Sequence, residues 1–505
     1  MKVEIMDTTL RDGEQTSGVS FTAIEKLSIA KFLLKEVKVD RIEIASARVS
    51  QGELASVKEI TKWAKEHKIL DQIEVLGFID GNKSLDWIYE AGARVVNMLC
   101  KGSLKHVEIQ LKKTAEQHLS DLKQSIAYAK ELGIDVNLYL EDWSNGMIDS
   151  PQYVINLIEG LKNEGIKRFM LPDTLGVLSP VETERFCKEM VNKFPGLKFD
   201  FHAHNDYGLA AANSLAAINA GVNGLHTTVN GLGERTGNTD LAEIVVCIND
   251  HLKGKTSVEE SKLYEISDLV ERFSGERIAA NAPIVGDNVF TQVCGVHADG
   301  DNKGDLYHNK LLPERFGRIR KYALGKTSGK ASIKNNLDLL GIELDKDSLR
   351  KVTERVIELG DKKKNITIED LPYIVSDVLE DNLIEENVKL NNYYISYAHG
   401  LKPVATLSID IYDEQYEASA NGDGQYDAFM NAITQIYSSI ERELPALMDY
   451  NVSIPPGGHT NALVETVITW SYLDKEFKTK ALNPDQTTAA IEATIKMLNY
   501  IENYF

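Results

Sequence analysis

The sequence is poor in cysteine, in basic residues and in long apolar runs, and each shortage excludes a class of protein. Its four cysteines are scattered without C-x-x-C spacing: Cys100, Cys187, Cys247 and Cys294. This pattern excludes a disulfide framework and a zinc knuckle, and it predicts reduced thiols. No run approaches the roughly 18 apolar residues of a membrane span, and the N-terminus lacks the apolar core of a signal peptide. We therefore expect a soluble, cytoplasmic protein without a membrane partner.

Basic residues number 56 against 76 acidic ones, which gives a net charge of -20. Such a chain repels nucleic acid, and no lysine- or arginine-rich stripe with interleaved aromatics offsets the repulsion. We expect no nucleic-acid partner, and an anionic substrate must be held by a few cations or by a metal. The hydrophobic content of 43% is ordinary for a globular protein, and 505 residues favour two or three domains.

The first part of the chain alternates short β-branched or apolar runs with longer segments of helical periodicity, such as Thr22–Val37 and Leu119–Leu132. The predicted strands are Val3–Met6, Arg41–Ala45, Ile73–Phe78, Arg94–Met98, Asp135–Leu140, Arg168–Leu171, Lys198–Phe201 and Gly224–Val229. Eight such units in about 250 residues predict a (β/α)8 TIM barrel within an α/β protein. The alternative, a doubly wound open sheet, needs a glycine-rich phosphate turn that Asp7–Glu14 does not supply.

The composition divides the chain into three predicted domains. Residues 1–260 form the catalytic barrel, and residues 261–385, rich in helix formers and charges, form helical linker subdomains. Residues 386–505 contain three strands and a helix, followed by three more strands and another helix. This internal duplication predicts a separate α+β domain. Because it has no obvious acid–base cluster, the pattern favours binding or regulation there.

Polar residues cluster at the predicted C-terminal ends of the barrel strands, where barrel enzymes place their chemistry. His202 and His204 are two residues apart on a strand, so both imidazoles face one side and can converge on one point. Asp12 adds a carboxylate and Asn238 an amide oxygen. Two nitrogens and two oxygens suit a divalent metal such as Zn, Mn or Mg. The alternative is a pair of core histidines bonded to neighbouring carboxylates.

Four further residues are candidates for substrate chemistry near this metal site. Arg11 could stabilise a developing oxyanion, although a structural ion pair with Glu43 is the alternative. Tyr139 and Glu141 share one face of a strand, and Glu141 could bind substrate or transfer a proton, or serve as a structural carboxylate. Thr174 could anchor a substrate carboxylate or cap a helix.

These motifs together resemble the family of 2-isopropylmalate, homocitrate and citramalate synthases, and the likeness is closest to its citramalate synthase branch. The resemblance covers essentially the whole chain. The motifs that carry it are Asp7–Gln15, His202–Asp206, Asn230–Asn238, Gly295–Gly300 and Gly422–Gly424. It implies an acyltransferase that uses acetyl-CoA as co-substrate and a divalent metal as cofactor.

The resemblance also implies the roles of individual residues. Metal ligands at Asp12, His202, His204 and Asn238 are implied, with Arg11 and Glu141 at the reaction centre. His297, Asp299 and Tyr307 would come from the linker subdomain of a partner subunit, which implies a domain-swapped homodimer. The base that takes a proton from the acetyl group remains open between His297, paired with Asp299, and Glu141.

The family's substrate-selecting positions correspond to Leu76, Leu99 and Tyr139, which are bulky and uncharged. They favour pyruvate as the keto acid, with binding residues at Arg11 and Asp12. Alternatives are a 2-isopropylmalate synthase that uses 2-ketoisovalerate, a CoA-independent lyase on the same barrel, and an amino-acid sensor with an inactive barrel.

The last domain resembles the allosteric module of the family, which implies feedback by isoleucine on its own biosynthesis. The effector site would lie near Tyr426, Asp427, Leu447, Tyr450 and Ile454. Core packing of a dimerisation domain is the alternative explanation for these residues.

Overall fold

The computed structural model describes residues 2–292, 309–340, 342–361, 366, 368–379, 386–412, 414–453, 464–473 and 475–504. These residues fall into two compact units. The first contains the described residues up to Phe290 and residues 309–320, and the second contains Thr291, Gln292 and the described residues from Lys321 onward. No helix in these ranges is long and apolar enough to cross a membrane.

Eight parallel strands close into a barrel in the order β1 to β8, so the predicted TIM barrel is confirmed and the open-sheet alternative is wrong. The strands are β1 Glu4–Asp7, β2 Arg41–Ser46, β3 Ile73–Phe78, β4 Val95–Lys101, β5 Asp135–Glu141, β6 Arg168–Asp173, β7 Phe199–Ala203 and β8 Gly224–Thr227. Several strands end one to three residues later than predicted, because ladder hydrogen bonds continue into the polar residues at the barrel mouth.

Ten helices surround the barrel or follow it in this unit. They are α1 Ala23–Phe32, α2 Gln51–Glu66, α3 Lys83–Glu90, α4 Ala115–Glu131, α5 Trp143–Asp149, α6 Pro151–Leu161, α7 Pro180–Lys193, α8 Ala210–Ala220, α9 Leu241–His251 and α10 Leu263–Ser274. Capping boxes define the starts of α1, α4 and α7, as at Thr22 and Glu25 for α1. The single predicted helix Thr22–Val37 is α1 followed by a π-helical turn at Leu33–Val37.

Strand side chains alternate between an apolar outer face and an interior that contains both charged and apolar residues. Outward residues such as Ile5, Val75 and Leu138 are fully buried under the helices. At the N-terminal end of the interior, Arg41 contacts Glu74 at 2.7 Å and Asp200 at 2.5 Å. These buried charges are paired, as a low-dielectric interior requires.

The second unit begins with helices around a small apolar core. The described elements of this first part are strands β9 Thr291–Gln292 and β10 Lys321–Tyr322, and helices α11 Lys330–Leu339, α12 Lys346–Asp361 and α13 Leu371–Leu379. Buried Ile333, Leu337, Val352, Val356 and Val375 form the centre of that core.

The predicted duplication follows as two repeats of three antiparallel strands and one helix. The first is β11 Val388–Ser396, β12 Val404–Ile411, β13 Glu414–Asn421 and α14 Gln425–Ser439. The second is β14 Ala446–Ser453, β15 Val464–Tyr472, β16 Lys475–Asn483 and α15 Gln486–Tyr504. Each sheet places its middle strand between the other two, so the predicted α+β class of this region is confirmed.

Candidate active site

The turn after β1 positions two of the candidate residues. The Thr8 carbonyl accepts hydrogen bonds from the backbone amides of Arg11 at 3.1 Å and Asp12 at 2.8 Å. Asp7 Oδ1 accepts from the Thr9 amide at 3.0 Å. These bonds fold the chain back over the end of the strand, so that Asp12 is buried at the barrel mouth.

A buried lysine, Lys26, binds this turn to the neighbouring helices. Lys26 Nζ lies 2.6 Å from Glu14 Oε2 and 2.5 Å from Glu53 Oε1, and it donates to the Leu10 carbonyl at 3.3 Å. Its side chain is 1% exposed. The residues that flank Arg11 and Asp12 are therefore tied to helices α1 and α2 by one ammonium group.

His202 of β7 and His204, which directly follows this strand, converge with Asp12. His202 Nε2 lies 3.2 Å from Asp12 Oδ2 and 3.3 Å from His204 Nε2. One ligand atom from each of these three buried residues lies within 4.8 Å of the others. The structure thus brings three of the four predicted metal ligands to one point.

Asn238, the fourth predicted ligand, pairs with His204 through an antiparallel bridge. Its Nδ2 donates to the Leu232 carbonyl at 3.0 Å. Glycines allow this close packing, because a Cβ on Gly233 would lie 2.1 Å from Asn238 Nδ2 and one on Gly237 would lie 1.8 Å from the Gly231 carbonyl oxygen.

An unpartnered oxygen and the protonation states of two residues suit a divalent cation here. The buried Oδ1 of Asn238 has no hydrogen-bond partner among the described residues, and His202 faces both Asp12 and His204 through its Nε2. Burial, followed by the nearby His202, lowers the pKa of His204 to about 4, so its imidazole is neutral. Burial raises the pKa of Asp12, but Arg11 and then His202 hold it well below its usual range. An ionised carboxylate beside the neutral imidazole of His204 suits a metal ion.

Arg11 is fixed on three sides. Its Nε donates to Glu43 Oε2 at 2.6 Å, its Nη1 lies 3.1 Å from Asp12 Oδ2, and its Nη2 donates to the Tyr139 hydroxyl at 3.3 Å. The ion pair with Glu43, the alternative weighed from the sequence, is therefore present. Glu43 also accepts from Thr8 Oγ1 at 2.7 Å and from Asn97 Nδ2 at 2.8 Å.

The three predicted selecting positions lie together in the barrel interior. Leu76 and Tyr139 form a buried cluster with Met6 and Met170, and Leu99 packs against it. The sequence reasoning did not identify Met6 and Met170. The alternation of side chains along β1 and β6 could have identified them, because both positions face the barrel interior. The sequence shows no cation among the predicted selecting residues, but the structure places the guanidinium of Arg11 over the ring of Tyr139. The charge of Arg11 is balanced by the carboxylates of Asp12 and Glu43.

His226 on β8 is a third residue that the sequence reasoning missed. Its Nδ1 lies 2.7 Å from the Tyr139 hydroxyl, and its ring packs edge-on against His202 at 5.4 Å between centroids. Burial lowers the pKa of His226 to about 4, so the ring is neutral and can accept a hydrogen bond.

Glu141 and Thr174 lie at the rim. Glu141 forms an ion pair with Lys101 of β4, and its side chain is 28% exposed, so it is not a buried structural carboxylate. Thr174 Oγ1 accepts from the Asp142 amide at 2.9 Å. The helix-cap interpretation of Thr174 is wrong, because Ser179 caps α7.

An arginine joins two loops of this rim. Arg235 donates to both carboxylate oxygens of Asp206, at 2.8 and 2.9 Å, and to the Thr174 carbonyl at 2.8 Å. It thereby connects the loop that ends in Asn238 with the loops that follow β6 and β7.

His297, Asp299 and Tyr307 lie outside the described residues, and so does Ile454 of the predicted effector site. In the second unit, the rings of Tyr426 and Tyr450 lie 5.4 Å apart, and the Tyr426 hydroxyl is 2.7 Å from Thr494 Oγ1.

The other two predicted effector residues lie nearby in sequence. Asp427 Oδ2 accepts from the Asp423 amide at 2.7 Å and thereby closes the turn before α14. Leu447 is 45% exposed and lies three residues before Tyr450 on β14. The structure thus brings the two tyrosines together and leaves Leu447 accessible.

The matches to known proteins agree with this geometry. A family model described as HMGL-like covers residues 2–270, which is more than half of the chain. The chain belongs to the HMGL-like family. Two further models match the remainder of this HMGL-like protein: a homocitrate synthase post-HMGL domain over residues 284–364 and a LeuA allosteric (dimerisation) domain over residues 365–502.

Full-length relatives of this HMGL-like protein are named as synthases. It is 34% identical to (R)-citramalate synthase of Methanocaldococcus jannaschii, with all of both chains covered. It is also 34% identical to 2-isopropylmalate synthase of the same organism, covering 99% of this chain and 95% of the relative. The predicted family is confirmed, and overall identity does not distinguish the two activities.

Proposed function

We propose that this protein is an (R)-citramalate synthase, which condenses acetyl-CoA with pyruvate and then hydrolyses the thioester, in isoleucine biosynthesis. The observation that carries the proposal is the apolar cluster of Met6, Leu76, Tyr139 and Met170 directly beside Arg11. A small keto acid that binds beside Arg11 would direct its side chain at this closed wall, where a methyl group fits best.

The proposed metal ligands are Asp12, His202, His204 and Asn238. A divalent cation held by them, Zn, Mn or Mg, would supply a Lewis acid for the keto group. Glu43 and Tyr139 fix the guanidinium of Arg11. Its remaining N–H groups would donate to the alkoxide that forms during condensation.

Thr174 and Glu141 would act on the substrate from the rim. Thr174 Oγ1 accepts a hydrogen bond from a backbone amide, which leaves its own proton for the keto-acid carboxylate.

Glu141, paired with the cationic Lys101, could take the proton from the acetyl methyl group, and the enolate would attack the keto carbon. His297, assisted by Asp299 and Tyr307, is the alternative base. Turnover of Glu141→Ala and His297→Ala separates these roles, because loss of the base reduces kcat by about 10²–10⁴-fold.

A keto-acid panel tests the proposed substrate. Free thiol release is followed with acetyl-CoA, Mg²⁺ or Mn²⁺, and pyruvate, 2-ketobutyrate or 2-ketoisovalerate. A pocket of methyl size discriminates by about 1–3 kcal/mol per methylene, so pyruvate should have the highest kcat/KM. Faster turnover of 2-ketoisovalerate would instead identify a 2-isopropylmalate synthase, the second candidate, which the 34% identity to that relative supports.

The same samples test the remaining alternatives. Pyruvate release from a hydroxy acid without CoA would identify a lyase. A protein that binds isoleucine and releases no CoA would be a sensor with an inactive barrel. The match to an allosteric LeuA domain over residues 365–502 favours a regulated synthase over the lyase.

Regulation and assembly form a separate part of the proposal. Isoleucine would bind near Tyr426, Asp427, Leu447, Tyr450 and Ile454, and the chain would form a domain-swapped homodimer. The tyrosine pair of the second unit and the dimerisation-domain match support this assignment. Calorimetry with isoleucine and with leucine tests the effector, and light scattering tests the dimer. A monomer, or equal binding of both amino acids, would contradict this part.

A further inference from the structure

A chain of polar side chains in contact, two of its links being hydrogen bonds, runs through the barrel beneath the proposed keto-acid pocket. Arg11 Nη2 is 3.3 Å from the Tyr139 hydroxyl, which is 2.7 Å from His226 Nδ1. His226 Nε2 in turn lies 3.5 Å from Asp200 Oδ2, which is an electrostatic contact and not a hydrogen bond. Tyr139, His226 and Asp200 are 3%, 1% and 0% exposed, so water does not compete for these contacts.

The two ends of this chain fix its direction. Arg11 can only donate hydrogen bonds, and an ionised carboxylate can only accept them. Asp200 is held ionised by Arg41 at 2.5 Å and Arg168 at 3.1 Å. Arg11 therefore donates to the Tyr139 oxygen, Tyr139 donates to Nδ1 of His226, and the Nε2 proton of His226 faces Asp200.

We propose that His226 is a positioning residue that sets keto-acid selectivity through the hydroxyl of Tyr139. This inference rests on the proposed function, because it concerns the pocket that would receive pyruvate. The Tyr139 ring packs with Leu76, Met6 and Met170 as one wall of that pocket. The bond to His226 prevents the ring from swinging aside to admit a longer side chain.

The physical reason is the cost of a buried hydroxyl without an acceptor. Without His226, the Tyr139 proton has no partner at its present position, which costs about 1–3 kcal/mol. The ring would then move toward another acceptor or toward water, and the wall would loosen. Loss of a wall that discriminates one methylene reduces selectivity by about ten-fold or more.

The experiment compares His226→Leu with His226→Asn in the full-length protein. The Asn side-chain oxygen can replace Nδ1 as acceptor, whereas Leu removes it. We expect His226→Leu to lower the ratio of kcat/KM for pyruvate over 2-ketobutyrate by about ten-fold, and His226→Asn to retain most of this ratio. Circular dichroism and thermal unfolding verify that both variants fold.

A double-mutant cycle isolates the route through Tyr139. In a Tyr139→Phe background, His226→Leu should change the selectivity ratio no further, because the hydroxyl is already absent. A ratio unchanged by His226→Leu alone, or an equal loss in both backgrounds, would overturn the inference.

An NMR measurement keeps the inference testable if turnover fails. With ¹⁵N-labelled histidine, His226 should show a proton on Nε2 and none on Nδ1, and its Nδ1 signal should move in Tyr139→Phe. A protonated Nδ1 would overturn the inference whatever the activity. If the wild type shows the expected tautomer but does not turn over pyruvate, the proposed function is refuted. The hydrogen bond from Tyr139 to His226 would then stand, but His226 would have no role in keto-acid selectivity.

Discussion

Replacement of Lys26 by methionine should destabilise the barrel unit, because this lysine anchors the turn that carries Arg11 and Asp12. Methionine retains an unbranched side chain of similar length and removes the ammonium group. Glu14 and Glu53 would then face each other without a cation between them. Burial already raises the pKa of Glu53 despite Lys26, so the loss of this cation raises it further.

The size of the effect follows from the burial of the three charges. Breaking a buried ion pair costs about 3–5 kcal/mol. The side chains of Glu14 and Glu53 are 21% and 14% exposed, so water would partly rehydrate them. We therefore expect the free energy of unfolding to fall by about 3 kcal/mol. Because the unit is large, the lower end of the range of about 2–4 °C per kcal/mol applies, so the unfolding temperature should fall by about 6 °C.

Scanning calorimetry measures this transition, and Lys31→Met on the same helix is the matched control, because Lys31 is exposed. The control should change stability by less than about 0.5 kcal/mol. The double substitution Lys26→Met with Glu53→Gln should recover part of the loss, because it removes the repulsion between the carboxylates. If Lys26→Met unfolds within 1 °C of Lys31→Met (a spread of about 0.5 kcal/mol), Lys26 does not hold the turn.

Four other changes test the site more briefly. Asn238→Ala should weaken Mn²⁺ binding by about 10-fold or more in calorimetric titrations, and wild-type affinity would contradict its role as a ligand. Burial raises the pKa of Asp7 to about 7, so between about pH 4 and pH 7 the folded state retains a proton that the unfolded chain releases. Stability from this group therefore falls as pH rises through that window, by up to about 1.4 kcal/mol per unit, and Asp7→Asn should flatten the slope in urea titrations at pH 5 and pH 7. Leu99→Ala should raise kcat/KM for 2-ketobutyrate relative to pyruvate by about ten-fold, and an unchanged ratio would place Leu99 outside the pocket. Arg235→Ala should weaken Mn²⁺ binding severalfold, because the Asp206 contact no longer holds the loop that ends in Asn238, and Arg235→Lys should restore only part of it.

Much of this architecture follows from local sequence. Strand and helix periodicity, capping boxes and the repeated strand–helix rhythm require only nearby residues, which explains why the barrel and the duplicated last domain were predicted correctly. His202 and His204 were identifiable as a pair because alternate residues of a strand share a face. Asp12 and Asn238 could be added because the C-terminal ends of all eight strands meet at one mouth.

The contacts between side chains from distant parts of the sequence depended on the tertiary structure. Tyr139 and His226 are 87 residues apart, and Lys26 reaches Glu53 across 27 residues. Nothing in the local sequence around His226 indicates its partner, because the register of a closed barrel decides which inward residues of distant strands stand at the same height. The sequence by itself therefore determined the elements and the candidate metal ligands, whereas strand register and closure determined what surrounds Arg11 and Tyr139.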